Sequence, residues 1–155
     1  MIKVKFPEPD FRIKTENNKD FLFDPIRKQW ILLTPEEWVR QNFVQYLVKE
    51  MLYPVQLIAI EKELKLGTLK KRFDILVYDK DTKPWMLVEC KAPEVLAGES
   101  AFHQALRYQI VLPAPFIIVT NGSLTQGWHN HEGVLSQLVQ LPSWEMHNDL
   151  SRRKG

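Results

Sequence analysis

The chain has 155 residues, 21 lysines and arginines against 19 aspartates and glutamates, and one cysteine. That length suits a single domain able to bury a core unaided, and a lone Cys90 excludes both an internal disulfide and a four-thiolate zinc site. The longest uninterrupted apolar run, Val111 to Val119, contains two prolines and is too short to span a bilayer, so a soluble, cytoplasmic domain with no membrane partner is expected.

The first twenty residues are polar and carry two prolines, which reads as an extended arm over residues 1–20. Gln29 to Leu33 suits a short strand. Thr34-Pro-Glu-Glu37 then marks a helix start, because Thr34 can accept from the Glu37 amide and Pro35 sits where no amide hydrogen is needed. Trp38, Val39, Phe43, Tyr46, Leu47 and Met51 recur at helical spacing, and Tyr53-Pro54 ends the run. Strand patterns follow over Val55–Leu66, Leu69–Tyr78 and Trp85–Cys90, separated by Gly67-Thr68 and by a polar loop, as in a three-stranded meander. Ser100 to Leu112 reads as a helix stopped by Pro113, with Phe102, Ala105, Leu106 and Ile110 as its core face. Phe116 to Thr120 is a buried strand, and Gly127 to Leu141 allows a hairpin turning at Glu132-Gly133. The expected class is α/β (α+β) around one mixed central sheet: a domain over 21–141 and a tail over 142–155.

The net charge of +2 decides nothing alone. Its distribution says more: Lys62, Lys65, Lys70, Lys71 and Arg72 share eleven residues with a single acid, Glu63. A solvated hairpin face is the plainer explanation of that run, and a nucleic-acid contact is the functional one.

Polar residues inside apolar strands carry the chemistry. Asp74 interrupts Phe73-x-Ile-Leu-Val77, while Glu89 and Lys91 flank Cys90 and project to one face of their strand. Taken alone, Glu-x-Lys is explained by an ion pair at a sheet edge. If the strands are antiparallel neighbours, however, Asp74 and Glu89 converge. Two carboxylates, the Cys90 backbone carbonyl, waters and a substrate phosphate would then suit Mg²⁺. Lys91 would orient the attacking water or stabilise charge on the phosphate. The His129-x-His131 pair lacks a third ligand, and the six glycines include no phosphate-binding loop, so neither zinc nor a nucleotide is expected.

Arg72-Phe-Asp74, Val88-Glu-Cys-Lys-Ala-Pro93, Gln104-x-x-x-Tyr108 and Val119-Thr-Asn-Gly122, in that order, resemble the PD-(D/E)XK nuclease superfamily. More narrowly, with Asp24-Pro-Ile-Arg27 and Thr34-Pro-Glu-Glu-Trp-Val-Arg40, the chain resembles the N-terminal nuclease domain of type I restriction enzyme R subunits from about residue 21 to 141. The resemblance implies a restriction-endonuclease-like core of helix, three-strand meander, helix and strand. It implies a metal-dependent DNA endonuclease in which Asp74 and Glu89 bind Mg²⁺, with Mn²⁺ as a substitute, and Lys91 acts at the water. Gln104 and Tyr108 would support the active site or contact DNA, with Arg72, Lys70 and Lys71 beside them. Glu50 is a further candidate acid from the first helix. Separately encoded restriction-modification subunits are the implied partners. Phe73 stands where the superfamily's name-giving proline would be. The alternatives are a catalytically inactive DNA-binding or assembly module of the same fold, and an interaction domain using exposed Trp128 and Trp144.

Overall fold

A computed structural model describes residues 1–94 and 99–144; most of the expected tail lies outside them. Strands β1 (Ile13–Glu16), β2 (Lys19–Asp24) and β3 (Gln29–Leu32) form a small antiparallel sheet in that order. Asn17 and Asn18 take φ of 52° and 62°, the left-handed pair that a two-residue hairpin needs. The expected arm is therefore partly strand: the boundary at residue 20 falls inside β2. The signal was weak because β1 is mostly exposed, so no apolar alternation marks it.

Helix α1 (Pro35–Lys49) follows, with Thr34 Oγ1 accepting from the Glu37 amide at 3.0 Å. Then come β4 (Ile58–Leu66), β5 (Leu69–Tyr78), β6 (Pro84–Cys90), α2 (Glu99–Val111), β7 (Phe116–Thr120), β8 (Thr125–His131) and β9 (Val134–Gln137). The last six strands make one mixed sheet in chain order. Every neighbouring pair is antiparallel except β6 and β7, which are parallel because α2 carries the chain across between them. Beyond β7, the β8–β9 hairpin turns at Glu132-Gly133, as the sequence allows, with both residues at positive φ.

Alternate side chains of the central strands fill two cores. On one face Ile75, Val77, Met86, Val88 and Ile118 pack with Val39, Phe43 and Leu47 of α1. On the other, Leu76, Leu87, Ile117 and Val119 pack with Ala105 and Tyr108 of α2. The expected inward face of α2 needs correction: Ile110 is 82% exposed and Phe102 38%. Ala105 turns in as expected, and with it Tyr108, three residues on. Trp128 is buried in the α2-side core, and Trp144 packs edge-on against Tyr53, which removes the exposed aromatics an interaction domain was to use. Among the described residues, no helix is long and apolar enough to cross a membrane.

Candidate active site

A break in strand alternation builds the site. Ile75 and Val77 of β5 face α1, so regular alternation would put Phe73 there too and turn Asp74 toward α2. Instead Phe73 lies in the α2-side core, its ring 5.5 Å from that of Tyr108, and Asp74 meets Arg40 of α1. The partner strand breaks at the same level. Pairing runs Ile60↔Ile75 and then Lys62↔Phe73, and Glu61, which stands between, has φ of 51°. Such a conformation costs a non-glycine residue roughly 1–3 kcal/mol and persists only where its surroundings enforce it. Here it turns Glu61 and Asp74 toward α1 together.

On the other side of Asp74, the β5–β6 ladder runs only to Ile75↔Val88, while β6 continues beside β7 to Cys90↔Thr120. The Cys90 amide donates to Asp74 Oδ2 at 2.8 Å, so the carboxylate stands in for a strand partner. Glu89, one residue past the last β5–β6 pair, accepts from the Tyr108 hydroxyl at 2.6 Å and pairs with Lys91 Nζ at 3.0 Å. Gln104 Nε2 donates to the same hydroxyl at 3.1 Å, one helical turn along α2. Lys71 Nζ stands 5.2 Å from the centre of the Tyr108 ring.

Behind Asp74 lies a network of charges. Arg40 donates to Asp74 Oδ1 at 3.0 Å and to Glu37 at 2.7 Å, with Glu36 at 3.4 Å and Glu61 at 3.5 Å from Nη2. Arg27 joins Glu37 at 2.8 Å and Glu61 at 3.2 Å and pairs with the fully buried Asp24, which also receives the amides of Ile26 and Arg27. Gln41 closes the network by donating to Asp24 and Glu37.

This setting separates the two carboxyl groups. Burial, then the like charge of Glu89, pushes Asp74 up to about 6 despite the Cys90 amide and Arg40. Burial pushes Glu89 up as well, but hydrogen bonds from Tyr108 and Lys91 outweigh it and hold the group below its ordinary value. Burial also drives the Tyr108 hydroxyl up, and Glu89 adds to it, so that hydroxyl stays a proton donor. The Cys90 thiol is fully buried and raised, which leaves it neutral and unreactive.

Of the residues the sequence nominates, Asp74, Glu89, Lys91, Gln104, Tyr108 and Lys71 come together. At Cys90 it is the backbone amide that meets Asp74. Arg72 is exposed and 3.9 Å from Glu63, and Lys70 is exposed on the same hairpin. Glu50 does not join the site: it caps the C-terminal end of α1, exposed, ten residues or about 15 Å of helix rise beyond Arg40. Glu61 is not among the residues the sequence nominates, and Arg40, Arg27, Asp24 and Glu37 have no part in that expected site. The available signal was two arginines and several acids within or just before an apolar helix pattern, charges whose burial demands partners.

The family model of the type I restriction enzyme R protein N terminus matches residues 35–142, well over half of the chain. The chain belongs to this family. No curated protein matches it. The match begins at the first residue of α1, so this R-protein N-terminal domain includes Arg40, Glu61, Asp74, Glu89, Lys91, Gln104 and Tyr108. Asp24 and Arg27, carried by the small sheet, precede the matched segment and still reach into the network.

Proposed function

We propose that this R-protein N-terminal domain is a divalent-cation-dependent DNA endonuclease of the PD-(D/E)XK type, with a restriction-endonuclease-like core. The observation that carries the reading is the meeting of Asp74 and Glu89 where β5 and β6 part, with Lys91 on Glu89 and the Gln104/Tyr108 pair behind it.

The donor set fits a hard cation. The ion-paired network holds six carboxylates (Asp24, Glu36, Glu37, Glu61, Asp74, Glu89) against three cations (Arg27, Arg40, Lys91). Asp74 and Glu89 accept from Arg40, the Cys90 amide, Tyr108 and Lys91, and the two carboxyl groups also lie within hydrogen-bonding reach of each other, a closeness of like charges that a divalent cation would relieve. Among the described residues no three His, Cys, Asp or Glu side chains gather as a metal cage. A pair of carboxylates completed by water and substrate phosphate is how Mg²⁺ is ordinarily held, and Mn²⁺ can replace it. When bound, the cation would supply positive charge to the scissile phosphodiester and acidify the attacking water.

The protein's own groups do the rest. Lys91 Nζ, held by Glu89, orients the water and offsets charge on the phosphate. Tyr108, itself held by Gln104, keeps Glu89 ionised and aimed. Lys62, Lys65, Lys70, Lys71 and Arg72 give the β4–β5 hairpin a basic surface for the DNA backbone. Restriction-modification subunits are the matching protein partners.

A plasmid-nicking assay with Mg²⁺ or Mn²⁺ tests the reading. Nicking is expected, with a loss of at least about 100-fold in Asp74→Ala and Lys91→Ala. Nicking that persists unchanged in both variants refutes it, as does absence of cleavage together with absence of Mn²⁺ binding.

A further inference from the structure

Asp74 already has a cation of its own. Arg40 is 4% exposed, and its Nη2 stands 3.0 Å from Asp74 Oδ1. The same nitrogen is 3.4 Å from Glu36 Oε1 and 3.5 Å from Glu61 Oε1, two side chains that are 48% and 39% exposed. Nη1 is pinned to Glu37 at 2.7 Å, and Glu37 is itself fixed by Arg27 and Gln41. The third nitrogen, Nε, is buried with no acceptor among the described residues. An unpaired buried donor is costly, so this pose does not satisfy the guanidinium fully. The group is thus anchored at Glu37 through Nη1, while Nη2 is shared among three carboxylates.

A second cation at Asp74 would repel Nη2 in a partly buried, low-dielectric setting. Glu36 and Glu61, both partly exposed and already 3.4 and 3.5 Å from Nη2, can take a larger share of it, Glu61 through the oxygen that Arg27 does not hold. We infer that Arg40 is the resident counter-cation of Asp74, and that a divalent cation entering between Asp74 and Glu89 displaces its Nη2 onto Glu61 and Glu36. This rests on the cation site proposed above and adds a competitor to it. Arg40 keeps Asp74 paired in the cation-free protein and sets the concentration at which the site loads. Glu61, turned toward α1 by its left-handed backbone, is the acceptor the exchange requires.

Calorimetric titration of the full chain with MnCl₂ at pH 8 reads the exchange. Arg40→Gln, which removes the competitor, is expected to bind about tenfold tighter than the unsubstituted chain. Glu61→Gln, which leaves the guanidinium fewer places to go, is expected to bind about threefold weaker. Glu63→Gln removes the same charge from the same strand but from a residue paired with Arg72, and should change affinity less than about twofold. Equal or weaker binding by Arg40→Gln overturns the exchange. Equal weakening by Glu61→Gln and Glu63→Gln also overturns it, since that marks a general field. If Arg40→Gln fails to fold, the comparison of the two glutamate variants decides alone. Absence of Mn²⁺ binding in both the unsubstituted chain and Arg40→Gln overturns the cation site and the exchange together. Binding that Arg40→Gln leaves unchanged overturns the exchange only.

Discussion

Asp74 has three competing partners at its carboxyl: a backbone amide, a guanidinium and a second carboxylate. The first two favour the ionised form, but burial and the charge of Glu89 outweigh them and raise the group to about 6. The folded chain therefore binds more protons at Asp74 than the unfolded chain does between about pH 4 and 6, and its stability falls as pH rises through that window. Glu89, held below its ordinary value, works the other way at lower pH: its contribution is lost as pH falls. A cation held at the pair, as proposed, would reverse the Asp74 trend, because it would bind the ionised form. Thermal melts at pH 5, 6, 7 and 8 with and without MnCl₂ are expected to show stabilisation by Mn²⁺ that is full above about pH 6. Below that, apparent affinity should fall about tenfold per pH unit, one proton being displaced per ion. An increment that is the same at pH 5 and pH 7 would remove Asp74 from the cation site.

At the level of elements, α2 supports the site and α1 charges it. Gln104 and Tyr108 share the buried side of α2, and their hydrogen bonds run in series to Glu89. Tyr108→Phe keeps the ring that packs on Phe73 but removes the donor at 2.6 Å, so Glu89 loses the strongest influence holding it ionised. Loss of such a supporting hydrogen bond costs about 10–100-fold in metal affinity or activity, and that loss is expected here with the fold retained. Calorimetry with Mn²⁺ beside a far-ultraviolet circular dichroism spectrum checks it, and an unchanged affinity would make the pair mere packing. The order of the elements was legible in the sequence because each has a strong local cause: the Thr34 cap, Pro54, Pro113 and the apolar runs between. Asp74 and Glu89 were legible as candidates because charge inside an apolar strand is conspicuous, and Lys91 because it stands two residues from Glu89, just past the end of β6. The break at Glu61 and Asp74 was not, since reading by period two assumes an unbroken register and neither strand carries a glycine there. Nor was the Arg27–Arg40 network, whose partners lie 34 residues away on β4 and β5 and are joined only by folding.

Across the whole molecule, the acidic network at the site and the basic hairpin beyond it nearly cancel, which is why a net charge of +2 concealed both. The hairpin's charge is unfavourable to the fold. Lys65 lies directly opposite Lys70, like charges across a strand pair that destabilise it by a few tenths of a kcal/mol, and each is exposed. Arg72 has only a loose contact with Glu63 to offset this. A polyanion on that face would relieve the strain, and β5 runs from it directly to Asp74, so a duplex resting on the hairpin would lie along the strand that carries one member of the carboxylate pair. Replacing both lysines with glutamine should therefore leave the melting temperature unchanged or slightly higher while weakening DNA binding. If each lysine neutralises one phosphate, the slope of log affinity against log salt should become less steep by about 1.8. Fluorescence anisotropy with duplex DNA over a range of NaCl concentrations measures the slope. A slope unchanged by the double substitution would place the DNA elsewhere on the molecule and leave the hairpin as a solvated surface.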